Sequence, residues 1–287
     1  MSPSHFANLI HAETVKLFSR TTARLGLVLL VVLGALPPLI LFAVRLGAWW
    51  WTGSLDAEWM PGQSVREAFS MPAADSMVWA LRARNFFVVK AFLVMLGAQI
   101  FAGEYQAHTL REDLLRPIPR WSVLGAKWLA MCTWIAVTAI FAWAVATALG
   151  LALFWDMGGD WQQPILGYFS AIMADAGFAA LVLLISVLSR SVPFTIAGVL
   201  LFAIMDYALD WILWLAKLAP NLPVTYAKEV GRVAEVAYPW MPFSAFGVWR
   251  GYEAMTPWAW QGFVSLLVIG LGSLVLSWAL FRRMDVP

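Results

Sequence analysis

A chain of 287 residues that is 62% hydrophobic and 13% charged departs from a soluble domain, where about a quarter of the residues carry charge. Its formal net charge of +2 offers no argument for a nucleic-acid partner, and its single cysteine, Cys132, excludes a disulfide framework or a thiolate zinc site within one chain. The expected class is an all-α integral membrane protein solvated by lipid, one transmembrane domain over residues 1–287.

In chain order, residues 1–24 hold Leu9, Ile10, Glu13, Val15, Lys16, Leu17, Phe18, Arg20 and Arg24, with apolar residues set against cations. Apolar and cationic sides of this kind predict a helix lying flat on the cytoplasmic surface. The stretch is mixed in charge, and the apolar run behind it exceeds the core of a signal peptide, so the first span is expected to stay attached.

Crossing roughly 30 Å of hydrocarbon takes about 20 apolar residues as a helix. Six runs meet that requirement: Leu25 to Val44, Asn85 to Ala102, Trp128 to Trp155, Ile165 to Leu188, Val192 to Ala216 and Trp258 to Phe281. The layout is thus spans one and two over 25–102 with an external segment 45–84, a cytoplasmic segment 103–127, spans three to five over 128–216, an external or re-entrant segment 217–257, and span six with its tail over 258–287. Pro37 and Pro38 predict a kink or an end in span one unless neighbours satisfy the carbonyls they free. Trp49, Trp50 and Trp51 read as an interfacial belt, and a short helix is expected near Val65 to Phe69. Span three carries two rows of small residues, Ala142, Ala146, Gly150 and Ala144, Ala148, Ala152, at the spacing that lets helices approach closely. In 217–257, a helical stretch near Thr225 to Ala237 and breaks at Pro239 and Pro242 predict short external helices that do not span.

Lys16, Arg20, Arg24, Arg111, Arg116, Arg120, Lys127, Arg190, Arg282 and Arg283 all fall on one side of this layout, while Asp156 to Pro164 contains no Lys or Arg. The positive-inside bias therefore puts both termini in the cytoplasm. Spans four to six do not repeat spans one to three in inverted form, which weakens a secondary-transporter reading.

No nucleotide-cradling G-x-x-x-x-G-K-[ST], zinc-binding H-E-x-x-H or G-x-S-x-G elbow occurs, so no catalytic, cofactor or metal residues are assigned to this chain. Lys90, Asp175, Asp206 and Asp210 are ionisable residues inside predicted spans, a costly placement that marks functional candidates. They could line a polar path, or Lys90 could pair with Asp206 or Asp210 to fix helix packing. Between spans two and three, GEYQAHTLREDLLRPIPRWSVLGAKW replaces the few residues a plain turn needs. It predicts a short amphipathic helix, Ala107 to Leu115, with Leu110 and Leu114 on one face, stopped by Pro117 and Pro119.

With AETVKLFSR near the start and FRRMD at the end, that segment resembles the permease subunits of ABC-2 type ATP-binding-cassette transporters. The resemblance implies a coupling helix seated on a separate ATPase subunit, which would carry the ATP and Mg, and a second permease chain, identical or not, around a central path. It makes Glu104, Thr109, Leu110, Leu114, Leu115, Pro117, Arg120 and Lys127 candidates for ATPase coupling. The external segment 45–84 is longer than a minimal member needs. The expected function is the permease of an exporter in a bacterial cytoplasmic (inner) membrane. The alternatives are an ATP-independent secondary transporter or channel, and a membrane anchor of an envelope complex.

Overall fold

The structure, a computed structural model, describes residues 3–85, 88–110, 115, 118–218, 232–233, 236 and 259–284. It is almost entirely helical. The elements are α1 (Pro3–Ser19), α2 (Thr21–Thr52), β1 (Glu58–Met60), β2 (Gln63–Ser64), α3 (Val65–Ala68), α4 (Ala73–Asn85) and α5 (Val88–Gly97). A π-helical turn (Ala98–Gly103) follows α5 without a break and leads into α6 (Glu104–Gln106). The chain continues as α7 (Arg120–Phe154), α8 (Gln162–Ser189), α9 (Val192–Leu218) and α10 (Ala259–Arg282).

Among the described residues, five helices are long and apolar enough to cross a membrane: Thr21–Thr52, Val88–Gln106, Arg120–Phe154, Gln162–Ser189 and Gln261–Arg282. The remaining predicted span coincides with α9, whose apolar part is Val192–Met205. The chain is an all-α membrane protein whose described residues add one pair of short antiparallel strands, β1 and β2. The segment 217–257 lies outside the described residues except at scattered positions.

Span one departs from its predicted limits. α2 does not end at Pro37 and Pro38 but runs through them for 32 residues, taking in Trp49, Trp50 and Trp51. A proline backbone angle fits a helix, and the turns on either side hold the ladder across the two missing donors. Among the described residues, three helices end on a non-glycine residue in the left-handed region: His108 follows α6 (φ 59), Trp155 follows α7 (φ 55) and Arg190 follows α8 (φ 54). The Trp155 and Arg190 amides donate to the carbonyls of Leu151 and Ser186, the single bond of a left-handed cap.

The chain forms two compact units, Met1–Arg24 with Lys90–Ile135 and Phe169–Pro287, and Leu25–Val89 with Ala136–Tyr168. In the second unit, Ala142, Ala146 and Gly150 are buried while Ala144, Ala148 and Ala152 are exposed, so one of the two small-residue rows packs and the other faces outward. A Cβ on Gly150 would stand 2.6 Å from Ser76 Oγ and 3.2 Å from Ala73 Cα, so α4 lies directly against that row. The expected short helix is α3, closed by a capping box in which the Ser64 hydroxyl accepts from the Glu67 amide and the Glu67 carboxylate accepts from the Ser64 amide.

In the first unit, α8 packs closely against α5. A Cβ on Gly97 would meet Val182 Cγ1 at 2.5 Å. Trp128 Nε1, near the start of α7, donates to the Ala176 carbonyl of α8 at 3.0 Å. Phe101 and Phe281 are fully buried and meet edge to face with centroids 5.3 Å apart.

Candidate coupling site

Within the first unit, α1 presents Phe6, Ile10, Glu13 and Leu17 at helical spacing, and Glu13 and Leu17 are buried. A carboxylate at the centre of a buried face requires a partner. Lys127, in the second turn of α7 and wholly buried, supplies it: its Nζ lies 3.1 Å from both Glu13 oxygens. The same ammonium donates to Glu104 Oε2 at the start of α6. The other Glu104 oxygen, Oε1, accepts from Lys16 Nζ at 2.8 Å and from Arg20 Nη2 at 2.9 Å.

Five charged groups thus meet in one cluster, three cations and two carboxylates, with Glu13, Glu104 and Lys127 buried and Lys16 and Arg20 toward its edge. Removing one member of a buried ion pair strands the other and costs roughly 3–5 kcal/mol. The arrangement ties α1, the end of the span-two helix and the start of α7 together at the two ends of the segment 103–127. Arg20 Nη1 also donates to the Gln99 carbonyl in the π turn at 3.2 Å, and Gln99 Nε2 reaches Thr22 Oγ1 at 3.3 Å.

The other predicted coupling residues divide. Thr109 Oγ1 donates to the Glu104 carbonyl at 3.3 Å. Leu110 is fully buried against its own chain, whereas Leu115 is 75% exposed. Arg120 Nη1 donates to the carbonyls of Phe281, Arg282 and Met284 and so caps the C-terminus of α10. Leu114 and Pro117 lie outside the described residues. Ala107 and His108 form a turn, so the expected helix does not begin at Ala107; helix resumes at Thr109.

Of the intramembrane candidates, Asp175 is buried halfway along α8. Lys90 Nζ sits over the Phe178 ring, 5.8 Å from its centroid. Asp206 and Asp210 are helical residues of α9, one turn apart, whose side chains lie outside the described positions, as does any pairing between them and Lys90.

A protein-family model described as ABC-2 family transporter protein matches residues 19–286. The chain belongs to the ABC-2 transporter family. No curated protein matches it. Every member of the charge cluster except Glu13 and Lys16 falls within the matched span, and the ABC-2 chain is a multi-pass membrane subunit of a transporter.

Sequence reasoning singled out Glu104 and Lys127 but not their partners. Glu13 and Lys16 on α1, and Arg20 just beyond its end, recur at three- and four-residue spacing, a signal that was available. The apolar-against-cationic reading turned Lys16 and Arg20 toward the membrane surface instead. The burial of Glu13 decides the matter: these charges face the chain's own helices.

Proposed function

We propose that the chain is the permease subunit of an ATP-driven exporter, coupled through the segment 103–127 to a separate ATP-binding-cassette ATPase and working with a second permease chain. The observation that carries this reading is the buried Glu104–Lys127 contact, anchored by Glu13, Lys16 and Arg20, at the two ends of that segment in an ABC-2 family chain. Movement of the ATPase against the segment would reach three helices at once through this cluster. Leu115, exposed in the single chain, is the apolar contact offered to the partner. Glu104, Thr109, Arg120 and Lys127 act from within the permease, with Leu110 supporting the segment from beneath.

In this reading the protein has six spans, with α1 and both termini on the cytoplasmic side of a bacterial inner membrane. Nucleotide and Mg belong to the partner. Asp175 lies along the transport path, and Lys90 pairs with Asp206 or Asp210 to fix helix packing.

Co-reconstitution with the ATPase in proteoliposomes tests the proposal. ATP hydrolysis is expected to rise when the permease is present and to return to the basal rate with Leu115→Asp. Hydrolysis indifferent to the permease would contradict coupling. Transport that persists without any ATPase would assign the chain to secondary transport, with Asp175 as the ion-coupling group.

A further inference from the structure

The span-two helix reaches Glu104 through six residues of π-helix, Ala98–Gly103. A π-type turn holds more residues than an α-turn, so its first and last residues are rotated relative to α register. One residue of α-helix corresponds to roughly 100° about the axis, so a change of register here would swing Glu104 out of the charge cluster. The π turn is held at two points. Arg20 Nη1 captures the Gln99 carbonyl, and three residues on the Ala102 amide donates to Ser186 Oγ of α8 at 3.0 Å. Both Ala102 and Ser186 are buried, so water cannot replace this bond.

The turn that follows Ser186 grips the residues next to Glu104. The Arg190 guanidinium lies over the Tyr105 ring, 5.7 Å from its centroid. Gln106 Nε2 donates to Ser191 Oγ, and the Val192 amide donates to Gln106 Oε1. A Cβ on Gly103 would touch Val192 Cγ2 at 3.6 Å. The C-terminal end of α8 therefore holds α6 on one side while the charges of α1 and α7 hold it on the other.

We propose that Ser186 is a positioning residue for Glu104, fixing the π register of Ala98–Gly103 and thereby linking α8, the helix that carries Asp175, to the coupling cluster. The inference rests on the coupling role of Glu104 proposed above. It gives the segment 103–127 a route to the membrane interior that runs through one backbone amide and one hydroxyl.

The test is a double-mutant cycle on the full permease with its ATP-binding-cassette ATPase in lipid nanodiscs. Ser186→Ala is expected to leave the ATPase bound and the KM for ATP unchanged while permease-stimulated turnover falls about fivefold to tenfold, the worth of one buried hydrogen bond. Glu104→Gln lowers the same turnover, and the double variant falls no further than the lower single variant. Ser186→Thr, which keeps the hydroxyl, restores most of the loss. If Ser186→Ala does not fold, Ser186→Cys, similar in volume but a weak acceptor, carries the same comparison.

Wild-type turnover in a folded Ser186→Ala, or losses that multiply independently in the double variant, would overturn the proposal while leaving coupling through Glu104 intact. Wild-type turnover in Glu104→Gln would remove the coupling reading itself, and this inference with it.

Discussion

Arg120 Nη1 donates to the Met284 carbonyl at 2.7 Å, joining the start of α7 to the end of α10. The last carbonyls of a helix lack internal donors, and a cation there also complements the helix dipole. The guanidinium carbon lies 5.8 Å from the centroid of the Phe281 ring as well. Arg120→Ala is expected to lower stability by about 1.5–3 kcal/mol, the range for hydrogen bonds to charged groups. Arg120→Lys keeps the charge but not the fork and recovers only part. Thermal unfolding in detergent reads both, and an unchanged transition in Arg120→Ala would reject the cap.

Leu110 and Leu115, both coupling candidates by the family resemblance, are not equivalent in the fold. Leu110→Asp places a carboxylate in a fully buried site and is expected to reduce the yield of monodisperse protein sharply. Leu115→Asp, on an exposed position, changes stability by no more than about 0.5 kcal/mol and acts on ATPase binding instead. Size-exclusion profiles paired with co-purification separate the two, and the opposite pattern would exchange their roles.

The two small-residue rows of α7 make a similar contrast. Gly150→Leu drives a side chain into Ser76 and Ala73, for a cost of about 1–3 kcal/mol or more. Ala148→Leu adds apolar surface to an exposed position and is expected to be near neutral. Equal destabilisation by both, measured by thermal unfolding, would contradict the packing face assigned to α7.

The Ser64 amide and then the Ser64 hydroxyl hold the Glu67 carboxyl below the usual carboxylate range, against a smaller opposing effect of desolvation. A lowered carboxyl contributes stability that is present above its unfolded value, about 4.3, and is lost as pH falls through the folded value. Amide exchange over Val65–Ala68 is therefore expected to quicken, relative to its intrinsic rate, as the pH is lowered below about 4. Protection unchanged there, or lost between pH 7 and 5, would contradict the capping role.

Five of the six expected spans were legible as long apolar helices because a 20-residue apolar run has few alternatives in lipid, and one row of small residues did prove to be a packing face. A short helix near Val65 to Phe69 was expected, but the S-x-x-E cap that starts it was recognised only in the fold. Glu104 and Lys127 were singled out through the family resemblance, but not as each other's partner, because that contact joins residues on separate helices. The π turn left no trace, since Ala98–Gly103 has an ordinary helical composition and its register is set by Arg20 and Ser186, far away in sequence. The hairpin of β1 and β2 was missed because five residues are too few to show alternation.

In the proposed function, the Glu104–Lys127 contact transmits movement between the ATPase and the spans. Permease-stimulated ATP turnover by Glu104→Gln, measured with the ATPase bound in lipid nanodiscs, tests it most directly. A folded complex with unchanged ATPase binding and a loss of about tenfold or more, the scale of one charge-assisted hydrogen bond, is expected. Stimulated turnover equal to wild type would contradict it.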